Sequence, residues 1–241
     1  IPYDLFNNPG RCCIIDTRRP EDPEMVQRYA DLFFDKRKRK GIVRTDALKM
    51  VQKRNYFGAI MVETGDADVL ISGLTRNYPD TIRPALEIIG RQEGAHKAAG
   101  MYILCTKNGP LFFADTTVNV NPTVSELVEI TELTARAVER FNIKPRIALV
   151  TYSSFGSAKG DDVEKMHDAT AILQQKHPDW IIEGEMQAHL AFNMDLVREN
   201  YPFSRLAGEP ANTIIFPNLS ASNIAYNLMK ETGDIEYISP I

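Results

Sequence analysis

The stretch Met101–Thr151 reads MYILCTKNGPLFFADTTVNVNPTVSELVEITELTARAVERFNIKPRIALVT, and its hydrophobic pattern switches from strand to helix and back. Met101–Cys105 and Leu111–Asp115 are short apolar runs on either side of Asn108–Gly109, the strongest short signal for a β-hairpin. An antiparallel hairpin is therefore predicted at the start of this stretch.

A helix and a third strand follow the hairpin. Thr123 and Glu126 have the spacing of a capping box, and Leu127 and Ile130 begin an apolar stripe of helical period. Ile147–Thr151 is apolar and β-branched, which is typical of a strand. Strands that alternate with helices of this length predict an α/β fold with largely parallel sheets, to which the hairpin adds an antiparallel element.

Elements of the same kinds are predicted on both sides of this stretch. Toward the N-terminus, strands are expected over Cys12–Ile15 and Val69–Ser72, a helix is expected from Pro23, and another over Thr81–Ile89, capped by Asp80. Toward the C-terminus, the patterns predict further strands and helices: a helix from Asp161, strands over Trp180–Ile182 and Thr213–Phe216, a helix over Ala221–Lys230, and a strand over Ile235–Ile238.

The composition limits the classes of function. The chain has 241 residues, which allows one large domain or two small ones, and its formal net charge of −4 argues against a nucleic-acid partner. Three cysteines without metal-ligand spacing fit a reducing cytoplasm, and no apolar run reaches the length of a membrane span. No metal site is predicted, because Asp66 and Asp68 lack a nearby histidine or third carboxylate and fit a turn.

Two features of the first third of the chain are candidate anion sites. The basic run that contains Arg37 fits either a solvated helix end or a phosphate site formed by the planar guanidinium. In a second segment, a predicted strand ends at Ser72 and Gly73, and a loop leads to a helix that contains Thr81 and Arg83. A cation is unfavourable at the positive end of a helix dipole, so Arg83 is predicted to bind a phosphate or carboxylate.

The loop SSFGSAKGDD, which follows the strand Ile147–Thr151, is a third candidate. Its small residues let backbone N–H groups approach a ligand, and α/β proteins bind ligands in crevices beyond strand ends. The candidate contacts are Ser153, Ser154, Ser157 and Lys159, and an ordinary connection between strand and helix is the alternative. Neither a P-loop nor a covalent-nucleophile motif is present.

Several strings together resemble the phosphotransacetylase family (phosphate acetyl/butyryl transferases) in order and spacing, among them GDADVLISG, DTIRPALEIIG, SSFGSAKG and FPNLSASN. The resemblance implies two α/β domains of the isocitrate dehydrogenase type, flanked by helices. Residues 1–95 with 238–241 would form the first domain, and residues 96–237 the second, with the hairpin and dimer contacts. It also implies an interdomain site for acetyl phosphate or acetyl-CoA, lined by Ser72, Gly73 and the Ser153–Lys159 loop, in which Arg37 and Arg83 are the phosphate-directed arginines.

Finer details, such as GLTRNYPDT, YSSFG and NYPFSRL, are similar to the version joined to bacterial NADP-dependent malic enzymes. That resemblance implies an acetyl-CoA-responsive regulatory and oligomerisation domain in a cytoplasmic homodimer or larger assembly. Its partner in the same chain would be an N-terminal malate-oxidising part that binds NADP and Mg²⁺ or Mn²⁺.

The resemblance also has departures. The family's Ser-Arg pair and general-base Asp would lie beyond Ile241, His189 stands where the family usually has Asp, and the sequence begins with Ile1. We therefore expect a chain truncated at both ends and without acetyltransferase activity. A catalytic phosphate acetyltransferase and a scaffold without a ligand are the alternatives.

Overall fold

The computed structural model describes residues 14–18, 22–233 and 235–238. The chain divides into two compact units, residues 1–92 and 93–241. Over the described ranges, no helix is long and apolar enough to cross a membrane.

The described residues of the first unit form four α-helices: α1 Pro23–Arg37, α2 Arg44–Val51, α3 Arg54–Thr64 and α4 Tyr78–Ile88. The predicted helix from Pro23 is confirmed, and the carboxylate of Asp22 caps it by accepting the N–H groups of Glu24 and Met25. Gly41 ends the short 3₁₀ turn after α1 with a φ of +86°, which favours glycine. The core of this unit consists of buried aromatic and aliphatic side chains, among them Tyr29, Phe33, Val51, Phe57, Ile60 and Ile88.

The predicted strand over Val69–Ser72 is wrong, because these residues are irregular and Ile71 is 93% exposed. A strand needs a neighbour to pair its backbone groups, and the described part of this unit offers none. Of the predicted strand Cys12–Ile15, Ile14 and Ile15 are irregular, and the two cysteines lie outside the described residues.

Helix α4 begins earlier than predicted, at Tyr78. Asn77 is its N-cap residue and makes no side-chain capping bond, so the predicted cap by Asp80 is wrong. Pro79 stands in the first turn, where its fixed φ suits a helix start and its missing N–H costs nothing. Because of this earlier start, Arg83 lies in the second turn, away from the positive end of the helix dipole.

The second unit has a six-stranded mixed sheet in the order β4-β3-β5-β2-β1-β6 over its described residues. Only β1 runs against its neighbours, β2 and β6, while the other pairs are parallel. The strands are β1 Met101–Thr106, β2 Gly109–Ala114, β3 Arg146–Thr151, β4 Ile181–Gln187, β5 Thr213–Ile215 and β6 Glu236–Ile238. The helices are α5 Val124–Glu139, α6 Asp161–Lys176, α7 Met194–Asn200 and α8 Leu219–Thr232.

Alternate residues of β3 face two different helical layers. Ile147 and Leu149 pack with side chains of α5 and α6, whereas Ala148 and Val150 pack with those of α7 and α8. This period of two is what a strand buried on both faces requires. The predicted α/β fold, a mixed sheet flanked by helices, is confirmed.

The predicted hairpin and capping box are also confirmed: β1 and β2 pair antiparallel, and Thr123 and Glu126 satisfy each other's backbone N–H groups. Ile238, which the resemblance assigned to the first domain, instead pairs with Ile103 in the ladder between β6 and β1. Residues 239–241 lie outside the described residues.

Candidate functional site

A cleft of about 930 Å³ opens in the first unit, between the segment before α1 and the helices α2, α3 and α4. Its walls carry six cationic side chains against the two carboxylates of Asp16 and Asp80, a formal surplus of four positive charges. None of the six forms an ion pair with another residue that the structure describes. The six cations are Arg18, Lys49, Lys53, Arg54, Arg76 and Arg83.

This charge distribution is unusual for the chain as a whole, whose formal net charge is −4. Cations that outnumber the carboxylates on one concave wall concentrate positive potential, which attracts small anions. The cleft is therefore suited to a ligand that carries phosphate or carboxylate groups.

A local break in the hydrogen bonding of α4 helps to shape the wall next to Arg83. Pro84 has no N–H, so the carbonyl of Asp80, four residues earlier, has no helical partner. The Nδ2 of Asn55 donates to that carbonyl at 3.1 Å, and the Oδ1 of Asn55 accepts the hydroxyl of Ser72 at 2.8 Å. Asn55 thus ties α3, α4 and the segment around Ser72 together at the cleft.

The other predicted ligand residues of this segment lie outside the cleft wall. Ser72 reaches the wall only through its bond to Asn55, and Thr81 donates to the carbonyl of Asn77 at 3.3 Å. Gly73 has a φ of +126°, a conformation that side chains with a Cβ rarely adopt. The assignment of Ser72, Gly73 and Thr81 to a ligand stays a prediction.

Arg37 also lies off the cleft wall, in an ion pair. Its Nη2 donates to Glu87 Oε1 at 3.2 Å, and its side chain is 19% exposed. Glu87 Oε2 accepts the hydroxyl of Tyr56 at 2.7 Å. Burial, together with the hydrogen bond to this carboxylate, raises the pKa of Tyr56 far above its usual value, so the hydroxyl remains protonated.

In the second unit, the Ser/Gly-rich loop after β3 folds over the buried carboxylate of Glu185. Glu185 Oε1 accepts the hydroxyl of Ser153 at 3.1 Å and the N–H of Gly156 at 2.6 Å. Glu185 Oε2 lies 3.3 Å from Nδ1 of His167. Because Glu185 is fully buried, these bonds hold the loop at a fixed place at the sheet edge.

The serines of this loop that were predicted to contact a ligand instead form hydrogen bonds within the loop and to β4. Ser157 Oγ accepts the N–H of Ser154 at 3.0 Å, and Ser154 Oγ accepts the N–H of Gln187 at 3.1 Å. The side chain of Lys159 is exposed and has no ion-pair partner within the described ranges. The serine contacts are those of a structural connection, and a ligand role for these residues stays a prediction.

Sequence reasoning missed an apolar crevice of about 310 Å³ beyond the carboxyl ends of β3 and β5. The chain leaves β3 through α6 toward β4 and leaves β5 through α8 toward β6, on opposite sides of the sheet. Such a switch point is where open α/β sheets bind ligands. Asn218, which caps α8, donates to Asp162 at 2.9 Å in the wall of this crevice.

Comparisons with known proteins show the family of the chain. The family described as phosphate acetyl/butaryl transferase matches residues 10–241. The chain belongs to this family. The phosphate acetyltransferase of Bacillus subtilis is 37% identical over 223 residues, which cover 91% of this chain and 68% of that protein. A phosphotransacetylase crystal structure from Streptococcus pyogenes has a TM-score of 0.83 and 34% identity, over 95% of this chain and 68% of that one.

These matches correct one prediction. The NADP-dependent malic enzyme of Escherichia coli is 34% identical over 231 residues, but they make up only 29% of that enzyme. The phosphate acetyltransferases of Bacillus subtilis and Mycoplasma capricolum match 91% and 100% of this chain and 68% and 73% of their own length. The prediction of a malic enzyme chain that lacks acetyltransferase activity is therefore wrong, because phosphate acetyltransferases match this chain over about two thirds or more of their own length, whereas the malic enzyme does not.

Proposed function

We propose that this chain acts as a phosphate acetyltransferase, which moves an acetyl group between acetyl phosphate and CoA. The observation that carries the proposal is the cleft lined by six cations that form no ion pair with another described residue, in a member of the phosphate acetyl/butaryl transferase family. Arg83 lines the cleft, and the resemblance of its sequence motif implies that it is a phosphate-directed arginine. Its guanidinium offers two parallel N–H donors, the geometry that suits a phosphate group.

In the proposed reaction, the thiolate sulfur of CoA attacks the carbonyl carbon of acetyl phosphate. A sulfur–carbon bond forms, the bond from that carbon to the bridging phosphate oxygen breaks, and phosphate leaves with the electron pair. Negative charge develops on the carbonyl oxygen and on the leaving phosphate. The proposed role of Arg83 and its neighbouring cations is to stabilise that charge, which is often the largest contribution to catalysis.

CoA is the proposed second substrate. It is the acyl acceptor that a transferase acting on acetyl phosphate requires, and the family description is that of a phosphate acetyl/butaryl transferase. A homodimer with contacts through the second unit stays a prediction.

The test is an assay of the purified full chain with acetyl phosphate and CoA, with thioester formation followed by absorbance. Butyryl phosphate replaces acetyl phosphate in a second arm, because the family description covers both acyl groups. Malate-dependent reduction of NADP, with and without acetyl-CoA, is measured in parallel. Thioester formation supports the proposal. Its absence would contradict it, and NADP reduction that depends on malate would instead favour the activity named for the Escherichia coli match.

Salt is expected to weaken the binding of acetyl phosphate. The Debye length falls from about 30 Å at 0.01 M to about 3 Å at 1 M ionic strength, so the surplus positive charge of the cleft is screened. We expect the KM for acetyl phosphate to rise several-fold over this range in potassium chloride, measured from initial rates. Titration with uncharged sucrose at matched osmolality is the control. A KM that does not respond to salt would contradict binding in the cationic cleft.

A further inference from the structure

The positive charge of the cleft is distributed unevenly over its walls. The corner where α2 meets α3 carries Lys49, Lys53 and Arg54 and no carboxylate. We call these three residues the cationic corner. On the other walls, two carboxylates offset all but one of three cations. Those residues are Asp16, Asp80, Arg18, Arg76 and Arg83. The cationic corner therefore holds three of the four surplus charges of the cleft.

Contacts within the protein do not balance the charge of the cationic corner. Its three side chains are exposed, and none forms an ion pair with a residue that the structure describes. The Nζ of Lys53 lies 3.1 Å from the Sδ of Met50 and 6.0 Å from the centre of the Tyr56 ring. A thioether is a weak acceptor, and a cation over a ring gains little at an exposed site. The corner thus keeps its full charge.

The position of two of these cations does not stabilise their own helix. Lys53 is the N-cap residue of α3 and Arg54 is its first residue, where a cation is unfavourable because the helix dipole is positive. The start of α3 has neither a side-chain cap nor an acidic residue in its first turn. Helix stability therefore gives no reason for two cations at this place, whereas an anion bound in the cleft does.

The volume and the charge of the cleft both exceed what acetyl phosphate needs. Its volume of about 930 Å³ lies in the range of sites that hold drug-sized ligands, about 300–1,000 Å³, and acetyl phosphate is much smaller. A phosphate group carries a charge of about −1.5 to −2 at pH 7, so acetyl phosphate offsets about half of the surplus of four. A second phosphorylated group in the same cleft would offset the rest.

We infer that the cationic corner is a second anion subsite, which binds the phosphates at the nucleotide end of CoA. The inference rests on the proposed function for the identity of this ligand, because CoA is the substrate that brings further phosphates, a diphosphate and a 3′-phosphate. The corner adds to the phosphate-directed arginines Arg37 and Arg83 that the family resemblance implies, and it does not replace them. Two lysines act as mobile point charges and Arg54 offers paired N–H donors, a combination that suits several phosphate oxygens.

Calorimetric titrations of the full chain with CoA and with acetyl phosphate test the inference. The variant is Lys53→Gln combined with Arg54→Gln, and thermal unfolding shows that it is folded. At about 0.15 M ionic strength, where the Debye length is about 8 Å, CoA is expected to bind the variant about 10- to 100-fold more weakly, because charge-assisted hydrogen bonds are lost. Acetyl phosphate is expected to bind less than about threefold more weakly. Equal losses for both ligands would overturn the inference, because the corner would then act only through the overall field of the cleft.

Arg28→Gln combined with Arg44→Gln is the matched control, which removes the same charge from the same unit. Both arginines are exposed, pair with Asp66 and Asp31, and lie outside the cleft wall. The affinity for CoA is expected to stay within about twofold of the wild type, since exposed ion pairs contribute little. A loss of CoA affinity in this control as large as that in the corner variant would contradict a specific subsite.

Adenosine 3′,5′-bisphosphate, which has two phosphates and no thiol, separates this inference from the proposed function. If the wild type transfers no acetyl group but binds the bisphosphate, and the corner variant loses that binding, the proposed function fails and the subsite stands. If transfer is observed but the corner variant binds CoA and the bisphosphate as the wild type does, the reverse holds. A wild-type chain that binds neither ligand overturns the inference.

Discussion

Replacing Arg83 by alanine is expected to lower kcat/KM for acetyl phosphate about 10- to 100-fold, because a charge-assisted hydrogen bond contributes about 1.5–3 kcal/mol. The side chain lines the cleft and has no ion-pair partner within the described part of the chain, so the substitution leaves no carboxylate unpaired. The loss is therefore expected in the kinetics and not in the thermal stability. Initial rates over a range of acetyl phosphate concentrations measure it.

Arg44→Ala is the matched control for this prediction. Arg44 belongs to the same unit and pairs with Asp31 at 2.6 Å, but it does not line the cleft. Its replacement is expected to change kcat/KM less than twofold, because Arg44 does not contact a ligand in the cleft. The replacement is also expected to leave the protein folded, since an exposed ion pair contributes only about 0–1 kcal/mol to stability. Equal effects of the two substitutions would mean that only the overall charge of the unit matters, and would contradict a specific role for Arg83.

Replacing Glu185 by alanine is expected to lower the free energy of unfolding of the second unit by about 3 kcal/mol, because each buried donor left without a partner costs about 1–3 kcal/mol. Glu185 is fully buried, and its Oε1 accepts the Ser153 hydroxyl and the Gly156 N–H. Alanine removes these acceptors and leaves a cavity under the loop. Urea unfolding followed by the fluorescence of Trp180, the one tryptophan of the chain, reports on this unit.

Two controls separate the lost hydrogen bonds from a general effect of charge. Glu185→Gln keeps an acceptor for Ser153 and Gly156, and its amide can donate to His167, so a loss below about 1.5 kcal/mol is expected. Glu164→Gln changes an exposed carboxylate of α6 and is expected to stay within about 0.5 kcal/mol of the wild type. If Glu185→Ala lowers the free energy of unfolding no more than Glu164→Gln does, the loop does not depend on this carboxylate.

Elements with strong local signals could be predicted from the sequence. The hairpin depends on Asn108–Gly109, and the start of α5 depends on the bonds between Thr123 and Glu126. Helices α2, α3 and α7 were not predicted from the sequence. Helices α2 and α3 begin without a side-chain cap, and α7 has only seven residues, so each depends on packing against its neighbours.

The strand predicted over Val69–Ser72 is the reverse case, in which the local signal is present but the tertiary contacts that a strand needs are not. Its β-branched, apolar pattern is a true local preference, but a strand also needs a partner, and the described part of the first unit supplies none. The apolar crevice was missed because it depends on the order of the strands in the sheet. That order places β3 beside β5, although the two strands are far apart along the chain. No local sequence pattern predicts this pairing.

By itself, the sequence determined the α/β class, the hairpin, the helix starts at Pro23 and Thr123, and the resemblance that pointed to Arg83. Those features depend on bonds and periodicities that act over a few residues. Only the tertiary structure decided that six cations from separate segments line one cleft, and that among the described residues Arg37 has an ion-pair partner while Arg83 has none. The physical reason is that both depend on contacts between helices: Glu87 lies close enough to α1 and α3 to accept hydrogen bonds from Arg37 and Tyr56.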